Sequence, residues 1–165
     1  MTIKAVKPTD MPPGEKAAFI DFVLKAGEVD EATLPVLVDR AVALVAIHDG
    51  ETLIGTAAVK HPSPGYRTGN FKKAGHEKLA DAHPLELGWV HVHVDHRKKN
   101  HGRALVSEAM MHTGGQGIYA TTKHDGMRKI LPESGFVAVG RDFPSALKPD
   151  EKLSLFACAP AKVEK

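Results

Sequence analysis

Residues 92–105, with the sequence VHVDHRKKNHGRAL, decide the fold of this chain. The segment predicts a strand that runs into a short basic turn, followed at once by a helix. The first N–H groups of a helix have no intrahelical partner, and the helix dipole adds partial positive charge at that end. A corner of this kind binds phosphate or pyrophosphate well. The segment therefore predicts a site for a phosphate-bearing ligand.

The composition limits the classes of protein to consider. The chain has 165 residues, and we expect a single domain over residues 1–158 followed by a flexible tail over residues 159–165. A net charge of +2 does not favour nucleic acid or a membrane surface as a partner. No apolar run nears the length that crosses a membrane. The single cysteine, Cys158, excludes an internal disulfide and is typical of the reducing cytoplasm, where we expect the protein to act.

Hydrophobic periodicity and turn residues predict a mixed α/β chain of order β-α-α-β-β-(α)-β-α-β-α-β-β. Asp49–Gly50 between two apolar runs predicts a hairpin. We expect a helix over residues 30–40 that Asp30 caps, a Pro/Gly loop over residues 61–70 and a helix over residues 71–82. A strand, a helix and a strand are expected over residues 85–94, 102–113 and 117–122. Such a βαβ unit is parallel and buried.

Two segments carry a resemblance to a known family. The first is Arg97-Lys98-Lys99-Asn100-His101-Gly102, and the second is residues 127–136, MRKILPESGF. They resemble the Arg/Gln-x-x-Gly-x-Gly/Ala turn and the short helix ending in Gly-Phe of the GNAT superfamily of acyl-CoA-dependent N-acyltransferases. Asn100 stands where the family has its first glycine, and asparagine tolerates positive φ. The resemblance covers nearly the whole chain and implies a mixed, mostly antiparallel sheet of about six or seven strands, with about four helices around it.

The resemblance implies acetyl-CoA as co-substrate and a primary amine, in a small molecule or a protein, as acceptor. The basic corner would hold the CoA pyrophosphate, the strand end before it would pair with the pantetheine amides, and the thioester would lie between the two parallel strands. GNAT domains are often dimers, so a homodimer is a further expectation. The residues expected to contact the cofactor are Val92, His93, Val94, Arg97, Lys98, Lys99, Asn100, His101, Gly102, Arg103, Ala104 and Asp125. Helix capping explains Asp125 equally well.

Glu86 is the candidate general base. It opens the central strand eleven positions before Arg97 (97 − 86 = 11), the offset at which several GNAT acetyltransferases carry a catalytic glutamate. The alternative is a strand-end glutamate paired with a lysine. The family's thiolate-protonating tyrosine, four residues before Gly135, is Leu131 here, which cannot donate a proton. The proton sources that stay open are Tyr119, Thr121, Thr122, His124, Ser134 and water.

Other hypotheses compete with this one. An ordinary βα turn with solvated lysines would explain the corner without a ligand. A non-catalytic acyl-CoA-binding module is a second alternative, and the departures from the family pattern at Leu131 and Asn100 favour it. A toxin that acetylates aminoacyl-tRNA is disfavoured by the near-neutral charge. His91 and His93, expected on one face of the strand, could hold a metal, but recognisable further ligands are lacking, so no metal is expected. The loops expected to shape the acceptor pocket are residues 26–31, 61–70 and 141–150.

Overall fold

The structure is a computed structural model that describes residues 1–162. Its strands are β1 (Thr2–Val6), β2 (Ala43–Asp49), β3 (Thr52–Lys60), β4 (Leu85–Val92), β5 (Ile118–Thr122), β6 (Val137–Pro144) and β7 (Lys152–Cys158). Its α-helices are α1 (Pro13–Lys25), α2 (Leu34–Arg40), α3 (Pro64–Ala74), α4 (His101–Met110) and α5 (Asp125–Glu133). Short 3₁₀ helices cover Pro8–Asp10, Glu77–Ala82 and Val94–His96.

The strands form one seven-stranded sheet across the described residues, in the order β1-β2-β3-β4-β5-β7-β6. The pairs β1–β2, β2–β3, β5–β7 and β6–β7 are antiparallel. β4 and β5 are parallel, with Leu85 opposite Ile118 and Glu86 opposite Tyr119. Because α4 connects these two strands, the predicted parallel βαβ unit is confirmed, as is the mixed, mostly antiparallel sheet.

The chain divides into two compact units, Met1–His61 with Leu87–His112 and Pro62–Glu86 with Thr113–Lys165. The division falls inside β4, directly after Glu86. The single domain expected over residues 1–158 stays a prediction.

In the first unit, the core joins α1 and α2 to strand residues and to Trp89. Its main members are Phe19, Val23, Leu34, Val38, Leu44 and Ala58. α4 packs on β2 and β3 and buries Leu105, Val106 and Ala109, which are the apolar positions predicted for its inner face.

In the second unit, α3 and the Glu77–Ala82 turn cover one part of the sheet. The core there consists of Phe71, Ala74, Ala80, Tyr119, Phe143, Leu155 and Ala157. Two of its aromatic rings meet edge to face, with 5.0 Å between the ring centroids of Phe71 and Tyr119. This packing fixes α3 against β5.

The loop predicted over residues 61–70 is wrong, because α3 begins at Pro64. The Ser63 Oγ accepts a 3.4 Å hydrogen bond from the Tyr66 N–H and caps the helix, and Pro64 occupies the first turn, where a missing N–H costs nothing. The glycines within the segment lower its helix propensity, but burial of Phe71 outweighs that loss. α3 ends at Ala74, and Gly75, whose φ of 91° suits glycine, caps it. The helix predicted over residues 71–82 is therefore confirmed only in part: residues 71–74 are the end of α3, and Glu77–Ala82 form a separate 3₁₀ helix.

Other boundaries also differ from the predictions. The helix expected from Asp30 begins at Leu34, since the Asp30 Oδ1 instead accepts a 3.2 Å bond from the Ala32 N–H in the preceding turn. Pro35 thus lies in the first turn of α2 rather than its middle. β4 ends at Val92, two residues early, because a 3₁₀ turn takes over.

The C-terminal segment is held in part by a backbone hydrogen bond. Of the tail predicted over residues 159–165, residues 163–165 lie outside the described residues. The Ala161 N–H donates a 2.9 Å hydrogen bond to the Gly115 carbonyl, so part of this segment is held in the second unit.

Over residues 1–162, no helix combines the length and apolar character that a membrane crossing requires.

Candidate functional site

The basic turn joins β4 to α4 in the first unit. Lys98 and Asn100 have φ angles of 63° and 64°, in the left-handed region. Asn100 precedes α4 directly as its N-cap residue. The prediction that asparagine takes positive φ at the position of the family's glycine is confirmed, and the turn keeps its sharp shape.

The N-terminus of α4 presents backbone donors at this turn. The first intrahelical bond runs from the Ala104 N–H to the Asn100 carbonyl at 3.1 Å. The N–H groups of His101, Gly102 and Arg103 lie ahead of that bond, at the positive end of the helix dipole. The Arg103 Nη1 donates a 3.0 Å bond to the Asn100 Oδ1, which keeps a guanidinium beside the same helix end. The corner therefore combines oriented donors with positive charge.

Two lysines and two histidines complete the turn. Lys98 and Lys99 are exposed, so their charges act on the corner at little desolvation cost. The His101 Nε2 and the His96 Nδ1 are buried and have no hydrogen-bond partner among residues 1–162. Buried polar atoms of this kind are normally satisfied, so each is a position where a ligand atom or a water would be stabilised.

Arg97 links the turn to the end of β4. Its Nε donates a 3.0 Å hydrogen bond to the Val92 carbonyl. The His93 N–H donates to the Ile54 carbonyl at 2.8 Å, and the His93 carbonyl accepts from the His96 N–H at 2.8 Å. Several backbone groups of the strand end predicted to pair with pantetheine are thus engaged within the protein. A ligand at this edge would have to use other groups or displace Arg97.

The histidines of this region do not form the expected pair. His93 lies beyond the end of β4, where its Nδ1 accepts a 3.2 Å bond from the Asp95 N–H. His91 remains in β4, and its Nε2 lies 3.9 Å from the Glu28 Oε2. The prediction of two histidines on one strand face is therefore wrong. Within the described residues, no group of three His, Cys, Asp or Glu side chains is placed to hold a metal ion.

Trp89 interrupts the regular backbone of β4. Its φ is 51°, which is costly for a bulky residue and persists only where the surroundings fix it. The Thr56 Oγ1 donates a 2.8 Å bond to the Trp89 carbonyl, and the Lys60 Nζ lies 4.7 Å from the ring centroid. The buried ring belongs to the core of the first unit. Strain of this kind concentrates at functional segments, and here it lies in the strand that carries Glu86.

Glu86 lies in the second unit and is almost fully buried, with 3% of its surface exposed. The Tyr66 hydroxyl donates to the Glu86 Oε2 over 3.5 Å. Tyr66 is 51% exposed, so the carboxylate meets a side chain that reaches solvent. A carboxylate held this way is suited to accept a proton from a ligand.

Tyr119 lies opposite Glu86 and is fully buried. Burial raises the pKa of Tyr119 well above its ordinary value, and the nearby Glu86 carboxylate raises it further. The Asn70 Nδ2 donates a 3.3 Å bond to the Tyr119 hydroxyl and opposes that shift in pKa. A phenol with so high a pKa is a weak acid, which disfavours Tyr119 as a proton source for a thiolate.

The remaining sequence candidates lie apart from these contacts. Leu131 is fully buried in the core, consistent with its lack of a proton to donate. Asp125 is the first residue of α5, and His124 occupies the cap position, so the interpretation of Asp125 as the N-cap is wrong. The Asp125 Oδ1 instead accepts a 2.9 Å bond from the Arg128 Nη1. Its side chain is almost fully exposed.

Sequence reasoning missed the contribution of α3. Tyr66, Arg67 and Asn70 were expected in a loop, yet α3 brings them to Glu86 and Tyr119. The signal was present in Ser63-Pro64, which is a capping residue followed by a proline at the first helical position. Tyr66 and Asn70 are four positions apart, the spacing of one helix face.

The fold is that of the GNAT acetyltransferases, shared with the solved structures that follow. No family model and no curated protein sequence matches this chain significantly.

Three solved structures illustrate the likeness. An acyl-CoA N-acyltransferase from Pseudomonas aeruginosa matches 96% of this chain and 99% of its own, with a TM-score of 0.69 and 13% identity. The yncA protein of Salmonella typhimurium, solved with its cofactor acetyl-CoA, matches 100% and 96%, with a TM-score of 0.65 and 14% identity. The aminoglycoside 6'-N-acetyltransferase from Enterococcus faecium matches 100% of both chains, with a TM-score of 0.65 and 17% identity. At these identities the likeness establishes the fold alone.

Proposed function

We propose that this protein is an N-acetyltransferase that moves an acetyl group from acetyl-CoA to a primary amine of a small molecule or a protein. The corner at residues 97–104 carries the proposal, because Lys98 and Asn100 both adopt positive φ directly before the donors of α4. The solved relative with bound acetyl-CoA supports the co-substrate, and the aminoglycoside acetyltransferase supports an amine acceptor. We place the reaction in the cytoplasm, since a lone Cys158 is typical of that compartment.

The residues at the corner fit a pyrophosphate. The N–H groups of His101, Gly102 and Arg103 would bind its oxygens, and the charges of Lys98 and Lys99 would offset its negative charge. The unsatisfied, buried His101 Nε2 offers one further donor. Arg97 is engaged with the Val92 carbonyl and would act chiefly by holding the turn in shape.

The rest of the cofactor proposal concerns the pantetheine arm. Val92, His93 and Val94 are proposed to face its amides through backbone groups other than the Val92 carbonyl, which keeps its bond to Arg97. Ala104 contributes its backbone at the helix end, and Asp125 is also proposed to bind the arm. Asp125 is the weaker assignment, because its carboxylate already accepts a bond from Arg128.

The proposed chemistry begins with Glu86. The Glu86 carboxylate takes a proton from the acceptor ammonium, directly or through one ordered water. The free amine then attacks the thioester carbonyl carbon, and the C–S bond breaks as the carbonyl re-forms. The electron pair leaves on the CoA sulfur, and the nitrogen, positively charged after its attack, loses its second proton to solvent as the amide forms. A thiol of pKa about 8.5 is a fair leaving group, so a solvent proton suffices and the lack of a tyrosine at Leu131 does not prevent the reaction.

A second candidate is a non-catalytic acyl-CoA-binding module. The observation that favours it is Leu131, fully buried where the family has its proton donor. Release of free CoA from acetyl-CoA, followed with a thiol reagent across a panel of primary amines, separates the two functions. We expect amine-dependent CoA release. Heat of binding in a calorimeter without any release would support the binding module instead.

A further inference from the structure

We propose that Tyr66 is a positioning residue for Glu86 and forms the surface over which a cationic amine reaches that carboxylate. The inference rests on the proposed function, because it specifies how the acceptor side of the same reaction is built. It comes from α3, the helix that the sequence did not predict.

The geometry of the pair carries the argument. Glu86 is 3% exposed, whereas Tyr66, in the first turn of α3, is 51% exposed. The Tyr66 hydroxyl lies 3.5 Å from the Glu86 Oε2. Tyr66 therefore joins the buried carboxylate to a side chain that is half exposed to solvent. We take its ring as the surface that an acceptor meets before it reaches Glu86.

The contacts beneath Tyr66 hold α3 in place. Asn70, one helical turn further on, is buried and donates a 3.3 Å bond to the Tyr119 hydroxyl. Tyr119 is in turn the partner of Glu86 in the parallel ladder. Phe71 packs edge to face on the Tyr119 ring. Helix, strand and carboxylate thus form one fixed frame, in which Tyr66 is the member open to solvent.

Arg67 on α3 and Tyr119 on β5 lie near the pair, since Arg67, Glu86 and Tyr66 all act on the pKa of Tyr119. The Arg67 Nη2 lies 3.7 Å from the exposed Asp81 Oδ1, and its Nε is buried with no hydrogen-bond partner in residues 1–162. Tyr119 stays neutral, because burial holds its pKa high.

These groups specify the kind of acceptor. An aromatic face attracts an ammonium group, and the carboxylate behind it accepts the proton. The present separation is long for an O–H···O⁻ bond, and such contacts commonly shorten when the substrate binds. The site therefore suits a primary ammonium group.

Tyr66→Phe tests the role, and Tyr119→Phe is its matched control. Tyr66→Phe should keep the melting temperature and the KM for acetyl-CoA and lower kcat on the order of tenfold. Tyr119→Phe should lower the melting temperature, because it leaves the buried Asn70 amide without its partner. An unchanged kcat in Tyr66→Phe, or a fall in kcat that comes with a loss of melting temperature as large as in Tyr119→Phe, would overturn the proposal.

A measurement without substrates separates this inference from the proposed function. Carbon-13 NMR at one fixed pH compares the chemical shift of the Glu86 carboxyl carbon in the wild type and in Tyr66→Phe. We expect the two chemical shifts to differ, because the hydroxyl that contacts the carboxylate is gone in the variant. Turnover by the wild type with identical chemical shifts overturns the role of Tyr66 alone. A difference in chemical shift with no turnover on any amine overturns the proposed function, and the positioning role of Tyr66 in it.

Discussion

The Arg97 side chain donates a 3.0 Å hydrogen bond from its Nε to the Val92 carbonyl, which joins the first residue of the basic turn to the last residue of β4. The turn is therefore shaped before any ligand arrives. Preorganisation of this kind lowers the entropic cost of binding. Two residues of positive φ, Lys98 and Asn100, follow Arg97 in the same turn.

Loss of that bond should weaken acetyl-CoA binding. Arg97→Ala removes both the bond and a positive charge, and we expect Kd to rise about tenfold to a hundredfold, for a charged hydrogen bond worth about 1.5–3 kcal/mol. Arg97→Lys is the matched control, since it keeps the charge and loses the planar fork. Calorimetric titration measures both variants, and we expect an intermediate Kd for the lysine variant. Wild-type affinity in Arg97→Lys would mean that Arg97 acts by charge alone.

Removal of the proposed base should slow chemistry without affecting the cofactor. Glu86→Gln preserves the size of the side chain but cannot take up the ammonium proton, so kcat should fall about 10²- to 10⁴-fold at unchanged acetyl-CoA affinity. Glu77→Gln, at an exposed position, is the control and should retain full activity. Steady-state CoA release across pH is the readout. The assignment of Glu86 would not survive a Glu86→Gln variant whose turnover equals that of the wild type throughout the pH range.

A side chain at Gly102 should block the phosphate position. Gly102→Val places a branched group among the first N–H donors of α4, so acetyl-CoA binding should be lost. Glycine is a poorer helix former than valine, so the substitution does not weaken α4 and the variant should fold. Ser107→Val introduces the same side chain at an exposed position of the same helix and should bind normally. Calorimetry measures acetyl-CoA binding by both variants, and thermal unfolding shows whether they are folded. Retained binding by a folded Gly102→Val protein would contradict the proposal that the corner binds the pyrophosphate.

Tyr119 should make the protein sensitive to alkaline pH. Burial raises the pKa of Tyr119 above its ordinary value of 10.0, so in the folded protein the phenol stays protonated where the unfolded chain ionises. Its contribution to stability is complete below pH 10 and is lost as the pH rises above that value. Urea unfolding between pH 8 and pH 11, compared with Tyr119→Phe, measures the effect. We expect a steeper decline in the wild type, and parallel declines would remove Tyr119 as the cause.

Local sequence signals were sufficient for much of the fold. The Asp49–Gly50 hairpin, the βαβ unit and the positive φ of Asn100 follow from residues whose preferences agree with their surroundings. The errors arose where packing overrides propensity. Gly65 and Gly69 made residues 61–70 resemble a loop, and only burial of Phe71 in the second unit makes them helical.

In the candidate site, too, one part could be predicted from local sequence and the other depends on tertiary packing. The corner is contiguous in sequence, so its residues could be named in advance. The surroundings of Glu86 come from three separate elements, α3, β4 and β5, and no spacing rule predicts that Tyr66 reaches its carboxylate. The end of β4 at Val92 and the strained φ of Trp89 likewise depend on tertiary contacts, such as the bond from Thr56.

Calorimetric titration of the purified protein with acetyl-CoA tests the central claim most directly. A corner built to bind pyrophosphate predicts saturable heat with a Kd between about 1 μM and 1 mM, and a rise in melting temperature at saturating ligand. Titration that gives neither heat nor a change in melting temperature would contradict the account, because the turn between β4 and α4 would then not bind coenzyme A.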